Sequence, residues 1–357
     1  MTKLLKIGLA FALLALGAAL AGGGTGATAP SGKVRAADIP GDDNPTSGSG
    51  RALAIANMAG NAPAFGQVLS VQMVSGPGRS SFVPSGYKKV FADEFDGPRL
   101  DTGKWWTRYI YNDGALDFLN DEQQRYREDR NHVMTGHSLT LVARKDGDGG
   151  YLSGMIRSKA TFKYGYFEAR IKIPAGVGVR PAFWLNSARR DSDGKIAWPP
   201  EIDIAEIANN GVEDTTSMLH VGLISHGAQD GKIRYADPEF HGDWSYWRAP
   251  ATLADNFHVL GALWDRDDTL SFFVDGYLIY KVAYKWVYDD GSPAGYANVI
   301  LDLAIGGPQW AGRHGVDDAA FPQALEIDYV RVYQQPDYKM LGTDTVGKDL
   351  CPAQGEC

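Results

Sequence analysis

Three carboxylates lie close together in the stretch WPPEIDIAEIANN, and their spacing could support chemistry. Glu201, Asp203 and Glu206 are separated by residues that are mostly Ile and Ala. Residues two apart on a strand share a face, so Glu201 and Asp203 should point the same way. Strict alternation would turn Glu206 toward the buried face, which is costly for a carboxylate without a partner. We therefore predict a one-residue β-bulge near Ile204 and Ala205 that returns Glu206 to the face of the other two acids.

Two glutamates on one face of such a strand suit the cleavage of a glycosidic bond. At roughly 3.3 Å per residue, the outer Cα atoms would be about 13 Å apart. Side chains that reach toward each other would bring the carboxyl groups to about 5–6 Å, the separation typical of retaining glycosidases. Asp203 would raise the pKa of its neighbours by like-charge repulsion and could share a proton with one of them. The alternative is a solvated strand whose acids only confer solubility.

The elements that position these acids are predicted to be short strands. Through residues 86–335, short apolar or alternating runs recur between clusters of Gly, Pro, Asp and Asn, with almost no 3.6-residue period. Roughly a dozen such runs predict an all-β fold, a sandwich or a barrel, in one domain of about 250 residues. The clearest hairpin is TLSFFVDGYLIYKV, in which Asp275 and Gly276 can supply the two positive-φ positions of a type I′ turn.

The N-terminal part of the chain has a different composition. Residues 1–21 combine two early lysines with a short apolar run and small residues, which is typical of a secretory signal peptide cleaved after Ala21. Residues 22–85 are rich in Gly, Ala, Ser and Pro and predict a mostly disordered linker, with the apolar run 69–74 as one candidate strand. We therefore expect a secreted or periplasmic protein with no membrane association after signal cleavage.

Residues 336–357 form a predicted C-terminal tail that contains the two cysteines of the chain. Cys351 and Cys357 could close a small disulfide loop in an oxidising compartment, or remain two unpaired thiols. The formal net charge of −8 and the scattered basic residues argue against nucleic acid as a partner. No HExxH, CxxC or serine-elbow motif is present, so we expect chemistry without a cofactor. Nothing indicates an obligate oligomer, and we expect a monomer.

Aromatic residues are abundant, with 9 Trp, 17 Tyr and 14 Phe. Sugars stack their C–H faces on aromatic rings, so a polysaccharide cleft needs such platforms. Trp184 and Trp198 flank the acidic strand in sequence, although core packing is the competing explanation for any single ring.

The segment EIDIAE resembles the E-x-D-x-x-E signature of glycoside hydrolase family 16. The resemblance extends through most of residues 87–335, in family order, over the motifs FADEFDG, NDEQQRY, YGYFEARIKIP, PAFWLN, FHVLGALWD, FFVDG, LAIGG and EIDYVRVYQ. It implies a jelly-roll sandwich of two antiparallel sheets with a concave substrate cleft. It also implies an enzyme that cleaves internal bonds of long β-linked polysaccharides with retention of the anomeric configuration. It also implies that Glu201 is the nucleophile, Glu206 the acid/base and Asp203 the residue that tunes them.

The resemblance implies further site residues. Positions that often line the family's cleft are matched by Asn120, Glu122, Trp184, Trp198 and His220. Glu94 and Asp328 resemble positions where many members hold a structural calcium, and oxygen ligands of this kind suit that ion. The alternative for these two acids is a role as hydrogen-bonded core groups. The chain departs from the family pattern at Asp121, Asp302 and Trp310, which leaves the cleaved linkage open.

The sequence therefore supports several functions. The first is a secreted endo-acting hydrolase of β-1,3- or mixed β-1,3/1,4-glucan. The second is a depolymerase of a bacterial exopolysaccharide or an algal galactan. A non-catalytic polysaccharide-binding protein on the same fold would not need the three acids. A transglycosylase would keep them and would differ only in preferring a sugar acceptor to water.

Overall fold

The computed structural model describes residues 73–76, 79–128, 130–187, 198, 200–226, 233–235, 245–288, 291–308, 310–337 and 342–345. The predicted signal peptide, the predicted linker as far as residue 72 and both cysteines lie outside these ranges. Short turns of helix occur at Tyr111–Gly114 and Asp318–Ala320. In the described ranges, no helix has the length and apolar character needed to cross a membrane.

The described residues form twenty-one β-strands. In chain order these are β1 (Met73–Gly76), β2 (Arg79–Phe82), β3 (Lys88–Asp93), β4 (Trp105–Trp106), β5 (Gln124–Tyr126), β6 (His132–Met134), β7 (Leu139–Lys145), β8 (Tyr151–Ser153), β9 (Met155–Phe162), β10 (Gly165–Lys172), β11 (Val179–Ser187), β12 (Glu201–Glu206), β13 (Met218–His226), β14 (Ile233–Tyr235), β15 (Ser245–Arg248), β16 (His258–Trp264), β17 (Thr269–Val274), β18 (Tyr277–Ala283), β19 (Ala297–Ile305), β20 (Gln323–Gln334) and β21 (Gly342–Thr343).

Two large sheets contain nearly all of these strands. A ten-stranded sheet has the order β18-β17-β16-β10-β20-β7-β8-β5, with β3 beside β20 and β6 beside β7. A nine-stranded sheet has the order β14-β13-β12-β11-β19-β9-β21, with β15 beside β13 and β4 beside β9. The strand pairs are antiparallel except β5 with β8. The predicted all-β jelly-roll sandwich is confirmed, and short edge strands raise the strand count above the predicted dozen.

The hydrophobic core lies between the two sheets. On β11 of the nine-stranded sheet, Phe183 and Leu185 are fully buried in the same cluster as Phe167 and Trp264 of the ten-stranded sheet. Trp184, which lies between Phe183 and Leu185, points to the other face and joins a separate, smaller cluster. Burying each large side chain contributes about 1.5–3 kcal/mol, so this alternation fixes which face of the sheet is left for chemistry.

The predicted hairpin between β17 and β18 is confirmed. Val274 pairs with Tyr277, and the two residues between them have positive φ, 50° for Asp275 and 81° for Gly276. Both central residues of a type I′ turn require this conformation, and a turn of this kind matches the twist of the flanking strands.

The prediction of a linker as far as residue 85 is wrong for its last part. Strands β1 and β2 pair with each other, and Phe82 is buried. The ring of Phe82 stacks on Phe273 with a centroid distance of 4.2 Å. A Gly/Ser-rich composition predicts disorder on average and gives no weight to a single large aromatic side chain that packs on the folded domain.

The predicted C-terminal tail also contains an ordered part. Strand β21 extends the nine-stranded sheet by pairing with β9. Beyond it, the carboxylate of Asp344 pairs with the buried guanidinium of Arg157, and Asp344 also accepts a hydrogen bond from Trp106 through its backbone carbonyl. The tail therefore supplies the counter-charge for an arginine that the sheet buries completely.

Candidate active site

The acidic strand β12 carries the predicted bulge. Asp203 is opposite Trp184 on β11 and Gly222 on β13, whereas Glu206 is opposite Ala182 and His220. Three residue steps on β12 thus match two on each neighbouring strand. Ile204 and Ala205 are both buried in the core between the sheets. Because the bulge absorbs one residue, Glu206 returns to the face that carries Asp203.

Glu201 is held at one end of the bulged strand by its surroundings. The indole Nε1 of Trp198 donates to Oε2 of Glu201 over 2.7 Å. The hydroxyl of Tyr284 is shared between the backbone carbonyls of Ile224, at 2.8 Å, and Glu201, at 3.0 Å, which fixes the strand beneath the carboxylate. Burial raises the pKa of Glu201 to about 7, and the charge of Glu206 adds to this effect. The Trp198 hydrogen bond favours the ionised form and acts in the opposite direction.

Asp203, in the middle, holds a proton more tightly than a free aspartic acid does. Its pKa is raised by burial and by the charges of Glu201 and Glu206, and it is hydrogen-bonded to Glu201. This hydrogen bond lowers the pKa of Glu201, so for this neighbour the prediction that Asp203 raises the pKa is wrong in direction. Like-charge repulsion acts on Asp203 from both glutamates, because it lies between them on the strand.

Gly222 gives Asp203 the space that its carboxyl group occupies. A Cβ atom on residue 222 would lie 1.9 Å from Oδ2 of Asp203, far inside van der Waals contact. Glycine in the middle of a strand weakens the strand and often marks a close approach of another group. The sequence analysis did not identify Gly222, although an isolated glycine inside the apolar run SMLHVGLI was the available signal.

Arg180 connects Glu206, at the other end of β12, to a second glutamate, Glu122. Its Nη1 donates to Oε1 of Glu206 over 2.6 Å, and its Nη2 donates to Oε1 of Glu122 over 3.2 Å. The guanidinium carbon lies 5.1 Å from the ring centroid of Trp310. The sequence analysis missed Arg180, whose only signal is a cation inside the apolar strand VRPAFWLN. A buried cation of this kind requires charged partners.

Glu122 is fully engaged in protein contacts. Its Oε2 accepts from the Leu119 backbone N–H over 2.8 Å and from Nε2 of Gln124 over 2.9 Å, while its Oε1 accepts from Arg180. Burial raises the pKa of Glu122 to about 7, and the charge of Arg180 counteracts part of this increase. The predicted substrate-binding role of Glu122 stays a prediction. The contacts in the structure make this residue an anchor for Arg180.

Asp302 is the acceptor of a second network on the same face. The indole Nε1 of Trp184 donates to Oδ1 of Asp302 over 2.7 Å, and the Tyr126 hydroxyl donates to Oδ2 over 3.0 Å. Burial raises the pKa of Asp302 to about 6. Trp184 is only 6% exposed and lies directly opposite Asp203 in the sheet. Its ring therefore forms the wall beside Asp203.

The other predicted cleft residues differ in their surroundings. The Nε2 atom of His220 lies 2.9 Å from Oδ1 of Asp214, and His220 is next to Glu206 across the strand pair. Asn120 has a φ of 49° in an exposed turn two residues before Glu122. The structure thus gathers Trp184, Trp198, His220 and Glu122 around the acidic strand, each through a named contact or pairing, and gives no such contact for Asn120.

The two acids predicted to hold calcium each have an arginine partner. Both oxygens of Glu94 accept from Arg331, over 2.8 Å to Nε and 2.6 Å to Nη2. Oδ2 of Asp328 accepts from Arg170 over 2.8 Å. Within the described ranges no group of three metal-ligating side chains lies together. This arrangement does not fit a calcium ion shared by the two acids, since guanidinium groups take up both oxygens of Glu94 and Oδ2 of Asp328.

Comparison with known proteins places this geometry in context. The family model for the glycoside hydrolase family 16 domain of beta-porphyranases A–D matches residues 87–335. A beta-glucanase of Rhodothermus marinus is 31% identical over 280 residues, which cover 72% of this chain and 89% of the relative. A glucan endo-1,3-beta-glucosidase A1 of Niallia circulans is 30% identical over 275 residues, but the match spans only 38% of that protein.

A solved structure shares the fold as well. The crystal structure of SCLam, a non-specific endo-beta-1,3(4)-glucanase from family 16, superposes with a TM-score of 0.57 at 32% identity. The match covers 71% of this chain and 94% of SCLam. The family model and the β-glucanase relatives define an enzyme that hydrolyses glycosidic bonds. The chain belongs to glycoside hydrolase family 16.

Proposed function

We propose that the protein is a secreted, endo-acting, retaining hydrolase of β-1,3- or mixed β-1,3/1,4-glucan. The observation that carries the proposal is the bulged strand β12, which presents Glu201 and Glu206 on one face with Asp203 between them. Substrate choice follows the β-glucanases to which the chain is similar. Export follows the signal-like residues 1–21.

In the first half of the proposed reaction, the Glu201 carboxylate attacks the anomeric carbon of the sugar. The bond from that carbon to the bridging oxygen breaks, and Glu206 gives its proton to the departing oxygen. The product is a glycosyl ester on Glu201 and a shortened chain with a free hydroxyl. In the second half, Glu206 takes a proton from water, the water oxygen attacks the anomeric carbon, and Glu201 leaves as a carboxylate.

The contacts around each acid support these roles. Trp198 donates to the Glu201 oxygen that carries negative charge before attack and regains it when the ester breaks. Protonated Asp203 offers a second hydrogen bond to Glu201, which favours the ionised nucleophile despite burial. Arg180 fixes one oxygen of Glu206, so the other can be directed toward the substrate.

A second candidate is a depolymerase of an algal galactan or a bacterial exopolysaccharide. The specific observation in its favour is the matching family model, which describes beta-porphyranases. The chemistry at Glu201 and Glu206 would be the same. The sugar-contacting surface, including the region around Trp310 and Arg180, would then accommodate a galactan instead of a glucan.

A reducing-end assay distinguishes the two candidates. The folded chain would be incubated with laminarin, mixed-linkage β-glucan, a succinoglycan-type exopolysaccharide, agarose, carrageenan and porphyran. Products that appear as a ladder of oligosaccharides on a glucan would support the first candidate. Activity confined to a galactan or an exopolysaccharide would support the second. Binding to a polymer without cleavage of any member of the panel would contradict both and leave a polysaccharide-binding protein.

A further inference from the structure

Three side chains form a row across the nine-stranded sheet, which begins at Glu206 on β12 and runs over β13 to β15. Glu206 is paired with His220 on β13, and His220 is paired with Tyr246 on β15. Directly paired residues of antiparallel strands present their side chains on the same face. The three side chains therefore all lie on the face that carries the acids. The ring centroids of His220 and Tyr246 are 6.0 Å apart, which agrees with this orientation.

The residues next to this row point to the opposite face. Leu219 is buried in the core between the sheets, and its partner on β15, Trp247, packs against the same cluster. The orientation of Tyr246 is thus fixed by the core packing of Trp247, the next residue on β15. A one-residue shift in the register of β15 would bury Tyr246 and expose Trp247. The burial of Trp247 therefore keeps Tyr246 on the face that carries the acids.

Tyr246 differs from its row partners in exposure. Glu206 and His220 are 5% and 7% exposed, whereas Tyr246 is 44% exposed. Among the described residues whose exposure is known, it is the one strongly exposed Phe, Tyr or Trp, and the other large apolar side chains exposed to this degree are valines. Single exposed apolar groups are common on proteins. An exposed ring that continues a row from a catalytic acid is a more specific feature.

We propose that Tyr246 is a stacking platform for a sugar unit of the bound polysaccharide, on the β13–β15 side of the cleavage point. Neighbouring strands are about 4.8 Å apart, so Tyr246 lies two strands, or about 10 Å, from Glu206. A sugar ring at this distance belongs to the same bound chain but does not react. Its C–H face can pack on the phenol ring, and the phenol hydroxyl can bond a sugar hydroxyl.

The proposal rests on the proposed function and makes a prediction about chain length. A polymer extends from the cleavage point to Tyr246, whereas a trisaccharide bound with its scissile bond at Glu206 gains little from a platform two strands away. Loss of the ring should therefore reduce kcat/KM on laminarin by roughly three- to tenfold, chiefly through KM. The value on laminaritriose should stay nearly unchanged.

The test compares the wild-type chain, Tyr246→Ala, Tyr246→Phe and a control, Val133→Ala. Val133 is 42% exposed on β6 of the other sheet, so its truncation removes exposed apolar surface far from the acids. Tyr246→Phe should keep most of the activity on laminarin, because the ring remains. Val133→Ala should leave both substrates unaffected. Binding of laminarin to the Glu201→Gln form, with and without Tyr246→Ala, gives the same comparison without turnover.

Each outcome decides the proposal. A selective loss on laminarin in Tyr246→Ala, with Tyr246→Phe close to wild type, supports the platform. Equal losses on laminarin and laminaritriose, or no loss on either, overturn the platform while the hydrolase assignment stands. A wild-type chain that cleaves neither substrate overturns the proposed glucan specificity, and with it a platform for this polymer.

Discussion

The guanidinium of Arg180 lies 2.6 Å from the carboxylate of Glu206, measured from Nη1 to Oε1. The same group reaches Glu122 through Nη2, so one cation bridges two carboxylates on the active-site face. The position of Glu206 therefore depends on a residue that lies two positions before Ala182, the residue paired with Glu206 in the sheet.

Replacement of Arg180 should impair both catalysis and stability. Arg180→Met leaves two buried carboxylates without their cation, which should lower kcat by roughly 10–100-fold and the free energy of unfolding by about 3–5 kcal/mol. Arg180→Lys can bond one carboxylate but cannot bridge both, and should be intermediate. Steady-state kinetics and urea unfolding measure the two effects. A Met variant with wild-type kcat would show that Arg180 does not position Glu206.

The pH profile should show an acidic limb that belongs to Glu201. Its pKa is about 7, so the nucleophile is protonated and inactive below that value, and kcat/KM should rise as the pH increases through it. Asp203→Ala removes a hydrogen bond that lowers the pKa of Glu201, so the limb should move to higher pH. Asp203→Asn retains a donor and should move the limb less.

A second carboxyl group with a pKa of about 7 provides the control for this experiment. Glu122 titrates in the same range, but it contacts Arg180 and the backbone instead of Glu201. Glu122→Gln should leave the position of the acidic limb unchanged even if the rate falls. A limb that moves in Glu122→Gln and stays in Asp203→Ala would assign the titration to Glu122.

Gly222 should be intolerant of even a methyl group. The added Cβ of Gly222→Ala would lie 1.9 Å from Oδ2 of Asp203, so the strand or the carboxyl group must move. We expect a loss of about tenfold in kcat and a destabilisation of about 1–3 kcal/mol. Gly147→Ala is the matched control, because an added Cβ there meets nothing within 4 Å. Equal kinetics for the two variants would show that Asp203 tolerates displacement.

The C-terminal segment should contribute to stability without contributing to chemistry. Asp344→Ala removes the carboxylate that neutralises the fully buried Arg157 and should cost about 3–5 kcal/mol in the free energy of unfolding. Asp337→Ala breaks the ion pair with Arg266 at the surface and should cost less than about 1 kcal/mol. Urea denaturation measures the free energy of unfolding of both variants. A loss of similar size in both would contradict a stabilising role for the buried Arg157–Asp344 ion pair.

Local rules were sufficient to predict the acidic strand. The two-residue side-chain alternation and the cost of burying a carboxylate predict the bulge, which the pairing of Asp203 and Glu206 confirms. The turn at Asp275 and Gly276 follows from local chemistry in the same way. The bulge and the turn each depend on residues within a few positions of each other, so the local sequence is sufficient to predict them.

The networks around the acids depend on contacts between distant parts of the chain. Arg180 meets Glu122 across 58 residues, and Tyr126 meets Asp302 across 176 residues. No local pattern specifies which strands become neighbours or which of their residues are opposite each other. The same limit applies to Phe82 and Asp344, since the sequence predicts a linker before the domain and a tail after it, and the structure shows these side chains buried in the folded domain.

Substitution of the proposed nucleophile gives the most direct test of the account. Glu201→Gln should lower reducing-end release from laminarin by at least about a thousandfold, because the amide cannot form the glycosyl ester while its shape is nearly unchanged. Polymer binding and thermal stability should be retained. Glu326→Gln, the same change on β20 of the other sheet, should behave as wild type. Substantial turnover by pure Glu201→Gln, well above that expected from contaminating wild-type enzyme, would contradict the assignment of Glu201 as the nucleophile.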